Sequence, residues 1–236
     1  MTFLSSLQPF LHHFNELRLR LLRSLGVYAI AVCVCFHYAG TVLGWIIRPA
    51  GQLVFTSPGG GFAAVMTVTM VMAFLVSAPF IFYQIWAFTS GALRPRERRF
   101  IVIFAPLSFL FFCLGVAFAF FVAVPVSYQF LMGFASRYMT PLVTVDNYLS
   151  FVGNMVVAFG VTFELPLIMA FLAKIGIATP EFLRQKRRHA IMIILIVAAL
   201  MTPPDIVSQI ILTVPLIVLY EAGIIFTVMC QKKRAH

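Results

Sequence analysis

Of 236 residues, 62% are hydrophobic and only 10% charged, with a mean hydropathy of +1.02, whereas soluble domains are about 45–50% apolar and roughly 25% charged. These proportions exclude a water-soluble globular fold, and the 26 Phe, 7 Tyr and 2 Trp exclude a disordered chain. The formal charge of +10, from 17 Lys and Arg against 7 Asp and Glu, leaves nucleic acid and an anionic lipid surface open as partners until the charges are located.

A membrane span takes about 20 apolar residues, so the chain is read as a series of such runs. Before the first one, Leu7, Phe10, Leu11, Phe14, Leu17, Leu21 and Leu22 recur at helical spacing. This predicts an amphipathic helix lying on the cytoplasmic membrane surface, with His12, Glu16, Arg20 and Arg23 on its polar face. The uncharged run Ser24 to Ile47 is then 24 residues long, about 36 Å of helix. That is too long for a signal-peptide core, so it is read as an uncleaved first span. Phe62 to Phe88 contains Pro79, and Phe100 to Val126 contains Pro106 and Pro125. Leu149 to Ala173 holds a single charge, Glu164.

Ala190 to Met201 is only 12 residues, about 18 Å of helix against a hydrocarbon core of about 30 Å. It is read as a true crossing that thins the bilayer and snorkels Arg187 and Arg188; a re-entrant hairpin with the next run is the alternative. Past Thr202-Pro203-Pro204-Asp205, the last run begins at Ile206, meets Glu221 and ends near Cys230. The expectation is an all-α polytopic membrane protein, one integral domain over residues 1–236. Its six spans lie at about 24–47, 62–88, 100–126, 149–173, 188–202 and 206–230, the last two short.

Basic residues in short loops mark the cytoplasmic side. The N-terminal segment, the second and fourth loops and the tail hold fifteen of them, and the alternate loops hold only Arg48 and Arg137. Both ends are therefore expected to be cytoplasmic. Topology accounts for the charge, and no nucleic-acid partner is called for. No internal repeat of the kind built into many transporters is visible.

Seven carboxylates are few enough to weigh singly. Glu16 precedes Arg20 by one turn, and the residue pattern alone favours a simple i to i+4 pair. Glu97 is the lone acid in Leu93-Arg94-Pro95-Arg96-Glu97-Arg98-Arg99. Local charge balance is the plain reading there; the other is a bidentate seat for a guanidinium from another molecule. Glu164 sits inside a span beside Pro166, where a charge costs on the order of 3 kcal/mol on insertion scales. A wet cavity or a protein partner is the favoured reading, against a protonated Glu bonded within the bundle. Cys33, Cys35, Cys113 and Cys230 lack metal-site spacing. The adjacent His12 and His13 point to different helix faces, and no catalytic motif is present. Neither cofactor nor enzyme activity is expected.

Five motifs in order resemble the TatC family of the twin-arginine protein translocase. His13-Phe14-Asn15-Glu16-Leu17-Arg18-Leu19-Arg20-Leu21 is similar to its H-x-x-E-L-R-x-R-L, and Ser77-Ala78-Pro79 with Tyr83-Gln84-Ile85-Trp86-Ala87-Phe88 to its second span. Leu93 to Arg99 resembles its L-x-x-x-E-R-R loop, Phe159 to Pro166 its F-G-x-x-F-E-x-P, and Thr202 to Asp205 with Ser208-Gln209 its T-P-P-D-x-x-S-Q. The resemblance implies a receptor in a bacterial cytoplasmic membrane for the Arg-Arg signal peptides of folded cargo. Such a receptor self-associates and assembles with single-span TatA and TatB partners for export driven by the proton-motive force. By the same resemblance Glu16 and Glu97 would bind the signal, Arg18 would shape that site, and Phe88 and Leu93 would flank it. Glu164 and Gln209 would be polar intramembrane contacts, and Pro49 and Asp205 structural residues of the outer face. Gly91 stands where the family often has Pro. The loop Pro58-Gly59-Gly60-Gly61-Phe62 lacks the family's frequent acid, which predicts a mobile loop or altered outer-face contacts. The competing classes are a proton-coupled small-solute transporter using Glu164 as its relay, and a purely structural membrane scaffold.

Overall fold

A computed structural model describes residues 2–91, 101–133, 142–201 and 206–232. Its described elements are helical apart from one isolated bridge between two extended residues. Five helical stretches are long and apolar enough to cross a membrane: Phe14–Ala50, Gly60–Thr89, Val102–Gly133, Val145–Lys174 and Gln209–Met229. The chain groups into two compact units. One comprises Met1–Ile46 and Val65–Phe109, the other Ile47–Ala64 and Leu110–His236.

The first unit contains α1 (Thr2–Ile47) and most of α2 (Gly60–Gly91). Here the sequence reading needs correction, because the amphipathic segment and the first span form one unbroken helix of 46 residues, about 69 Å long. No proline interrupts the stretch between Phe10 and Arg48, so nothing forces a bend at Ser24. The polar side of the segment turns toward α2 through Arg20 and Gln84, while Phe14, Leu17, Leu21 and Leu25 are exposed. The helix stops where Pro49 enters the 3-10 turn Arg48–Ala50.

α1 and α2 run antiparallel. Arg20 meets Gln84, Ala31 and Cys35 share a buried cluster with Ala73, and the Tyr28 hydroxyl donates to the Met70 carbonyl at 3.4 Å. Small side chains at the seam allow close approach of the two helices. On the opposite side of α2, Trp86 Nε1 donates to Ser108 Oγ at 2.7 Å and its ring lies 5.0 Å from that of Phe104. Both partners belong to α3 (Ile101–Phe118).

The second unit takes in the rest of α3, a π-helical turn (Ala119–Ala123), α4 (Val124–Gly133), α5 (Val145–Thr162), α6 (Leu165–Lys174), α7 (Pro180–Gln185), α8 (Arg187–Met201) and α9 (Ile206–Lys232). The wide turn precedes Pro125, whose ring lacks an N–H and crowds the carbonyl one turn back; the Val124 N–H reaches the Ala119 carbonyl instead. Phe163 and Glu164 divide the predicted fourth span into α5 and α6, with Pro166 in the first turn of α6. α6 ends at Gly176, whose φ of 83° only glycine adopts readily. α8 has 15 residues and is the short element that the sequence predicts. α9, also predicted to be short, runs 27 residues and tolerates Pro215 inside it.

Glycines set the tightest contacts of this unit. A Cβ on Gly115 would lie 2.5 Å from the Phe159 carbonyl oxygen, and one on Gly160 would lie 2.6 Å from the Phe112 ring. α3 and α5 thus cross backbone to backbone. Phe118 fills the space beside them, 5.2 Å from the Phe159 ring and 5.7 Å from that of Phe163.

The loop after α1 is hydrogen-bonded to other parts of the second unit. The Val54 N–H donates to the Val143 carbonyl, and the Val145 N–H donates to the Val54 carbonyl, each at 3.1 Å. The Tyr128 hydroxyl donates to the Ala50 carbonyl, also at 3.1 Å. The acid this loop lacks arrives from α5. A Cβ on Gly60 would meet Asp146 Oδ2 at 3.2 Å, so a carboxylate borders the N-terminus of α2, where the helix dipole favours it.

Candidate functional site

The carboxylate with the most developed surroundings is Glu16. Its Oε1 accepts from Arg20 Nη2 at 2.7 Å and from Arg20 Nε at 3.1 Å, as the i to i+4 spacing predicts. Arg20 Nη1 in turn donates to Gln84 Oε1 on α2 at 3.2 Å. The side chains of Arg20 and Glu16 are 22% and 29% exposed, and Gln84 is 7% exposed. The cluster therefore has a buried floor and an open rim.

The antiparallel register places the other candidates. Glu16 lies one turn before Arg20, and Phe88 one turn after Gln84 on the same stripe of α2. Phe88 is therefore across from Glu16, and it is half-buried. Arg18 is two residues from both Glu16 and Arg20, hence on another face, and it is exposed. Leu93, Glu97 and Asp205 lie outside the described residues. Gln84 belongs to the second-span motif, which by itself assigns it no role. The signal for it was present: an amide in an otherwise apolar span needs a hydrogen-bond partner.

The second polar place is Glu164, 5% exposed between α5 and α6. Its N–H donates to the Val161 carbonyl at 3.1 Å, a tighter turn than the α-helical one, and its carbonyl accepts from Leu167 at 3.0 Å and Ile168 at 2.9 Å. α9 covers this break. A Cβ on Gly223 would sit 2.5 Å from Met169 Sδ and 3.2 Å from the Pro166 Cα. Gln209 is 14 residues before Gly223, about 21 Å along the helix, so it serves a different level. Its Nε2 donates to the Leu195 carbonyl at 3.2 Å, joining α9 to α8. At the other end of that pair, Arg187 Nη2 donates to Glu221 Oε2 at 2.6 Å, and the Tyr220 hydroxyl donates to the Leu183 carbonyl at 2.9 Å. The sequence alone names no partner for Glu221. Pro49 is the middle residue of the 3-10 turn Arg48–Ala50, whose last residue accepts from Tyr128.

Chemically, the Glu16 cluster is a carboxylate engaged by a guanidinium at a helix surface, which suits cation recognition. The array of apolar helices long enough to cross a bilayer defines a multi-pass membrane protein. Comparison with known proteins makes the class specific. The family model of the Sec-independent protein translocase protein (TatC) matches residues 12–215, and the chain belongs to that family. A TatC from Desulforapulum autotrophicum is 37% identical over 96% of this chain and 86% of its own length. The TatC of Escherichia coli strain K12 is 35% identical over 93% and 88%. A crystal structure of the twin arginine translocase receptor TatC superposes with a TM-score of 0.85 at 33% identity, covering 93% of this chain and 99% of its own. Family membership favours the translocase reading over the solute-transporter and scaffold alternatives.

Proposed function

We propose that this chain is the membrane receptor of a twin-arginine translocase, residues 1–236 acting as one integral domain in a bacterial cytoplasmic membrane. In this reading α8 crosses as a short span, giving six crossings with both ends cytoplasmic. Glu16 and Glu97 bind the adjacent arginines of a signal peptide on folded cargo, Arg18 shapes the site, and Phe88 and Leu93 flank it. Glu164 and Gln209 offer polar contacts to single-span TatA and TatB partners, and Pro49 and Asp205 hold the outer face. Further copies of the receptor complete the assembly, and the proton-motive force drives export.

The observation that carries the reading is the guanidinium already seated on Glu16, with 2.7 and 3.1 Å bonds to one carboxylate oxygen. The site therefore has the geometry and partial shielding that arginine recognition needs, and lysine cannot supply the planar fork. The test is binding of an Arg-Arg signal peptide and of its Lys-Lys twin to the detergent-solubilised protein, wild type and Glu97→Ala. Tight Arg-Arg binding is expected, with Lys-Lys and Glu97→Ala each weaker by about tenfold to a hundredfold, the worth of a charge-assisted bond. Equal affinity for both peptides defeats the reading.

A further inference from the structure

Three side chains are joined at the end of the α1–α2 pair that the receptor reading places in the cytoplasm. Arg20 engages Glu16 Oε1 through Nη2 at 2.7 Å and Nε at 3.1 Å, and Gln84 Oε1 through Nη1 at 3.2 Å. An exposed i to i+4 pair on a lone helix is a loose arrangement, because both long side chains lose entropy to hold it. Here a buried amide from a second helix fixes the third guanidinium nitrogen, so Arg20 is held in one pose. Gln84 is 7% exposed, and a buried amide oxygen left without a donor is costly. Gln84 thus gives Arg20 a reason to stay.

We propose that Arg20 is a built-in stand-in for the signal's arginine: it fills the guanidinium seat on Glu16 in the resting protein, and Gln84 is the positioning residue that holds it there. The inference rests on the receptor reading above. A signal arginine must displace Arg20 from Glu16, so the apparent affinity is the intrinsic one reduced by the fraction of time the seat is open. The same fraction scales every ligand of the seat, so the ratio of arginine to lysine affinity stays that of the planar fork's fit to the carboxylate. What the stand-in changes is the threshold: it lowers both affinities together and leaves the weaker lysine ligand the less occupied.

The test measures binding of labelled Arg-Arg and Lys-Lys signal peptides by fluorescence anisotropy to wild type, Gln84→Met and Arg20→Lys. Gln84→Met keeps the volume and every charge but removes the tether; Arg20→Lys keeps the charge and removes the fork. Both are expected to tighten Arg-Arg binding by roughly threefold to tenfold, as a mostly closed seat becomes mostly open. Neither gain should survive in a Glu16→Gln background, where there is no seat to compete for. A purely structural Arg20–Gln84 contact predicts weaker or unchanged binding in both variants, and that outcome overturns the proposal while leaving the receptor reading in place. If wild type itself binds both peptides equally, the receptor reading fails and the stand-in with it. Should Gln84→Met not fold, Arg20→Lys decides alone.

Discussion

The first and fourth candidate spans are both strongly apolar, with hydropathies of 1.9 and 2.1, yet the protein uses them in opposite ways. In the most apolar window of Phe14–Ala50 only 17% of residues are buried within the protein; in that of Val145–Lys174 the figure is 61%. Composition alone identifies both as membrane helices and cannot say which is wrapped by other helices and which faces lipid. The difference lies in what the residues meet. Along α1, Gly26, Gly40 and Gly44 would all have open space at a Cβ, whereas Gly115 and Gly160 at the α3–α5 crossing have none. The exposed helix carries its chemistry at one end, where Arg20 bridges Glu16 to Gln84. The wrapped one carries a buried Glu164 at its break.

The sharpest way to break this contrast is at the crossing. Gly115→Ala should destabilise the detergent-solubilised protein by about 1–3 kcal/mol, the usual cost of overpacking. The obstacle is the Phe159 carbonyl at 2.5 Å, and backbone cannot give way as a side-chain tip can. Gly223→Ala should cost less, because the nearest atom is Met169 Sδ, also at 2.5 Å, and methionine is flexible enough to move. Thermal unfolding of the two variants side by side checks the order. Equal losses would mean that Pro166, rather than Met169, limits the space beside Gly223.

An equal or smaller effect is expected inside the first unit. Ser108→Ala removes the acceptor of the buried Trp86 indole, a 2.7 Å bond, and should cost about 1–3 kcal/mol if the donor stays dry but only about 0.5–1.5 if it finds another partner. Trp86 is one of two tryptophans, so its emission in a Trp45→Phe background reports which case holds. A red shift indicates that water has reached the ring.

Much of this was legible in the sequence. The period of apolar runs located the helices, and the i to i+4 spacing pointed to the Glu16–Arg20 pair, whereas the fourth span was read as one helix and divides before Pro166. What the sequence withheld depended on distant residues. Nothing local distinguishes a surface helix that ends at Arg23 from one that continues into the span, and the polar face of that segment found its partner 64 positions away on Gln84. Likewise, nothing local shows that Val54, in the loop before Gly59 to Gly61, is bonded to Val143 and Val145. The acid missing from that loop is supplied by Asp146, 86 positions beyond Gly60.

The smallest expected effect sharpens the contrast from its other side. Gly40 lies in the interior of α1, exposed, with no atom within 4 Å of a built Cβ. Alanine there relieves the entropic cost of glycine in a helix without creating a clash, so Gly40→Ala should stabilise the solubilised protein by about 0.5–1 kcal/mol. The gain should appear in unfolding of the isolated protein and add to the loss from Gly115→Ala, because the two glycines share no partner in the structure. A loss at Gly40 would instead mean that a surface open in the single chain is covered in the detergent-solubilised protein, making α1 as much a packing helix as α5.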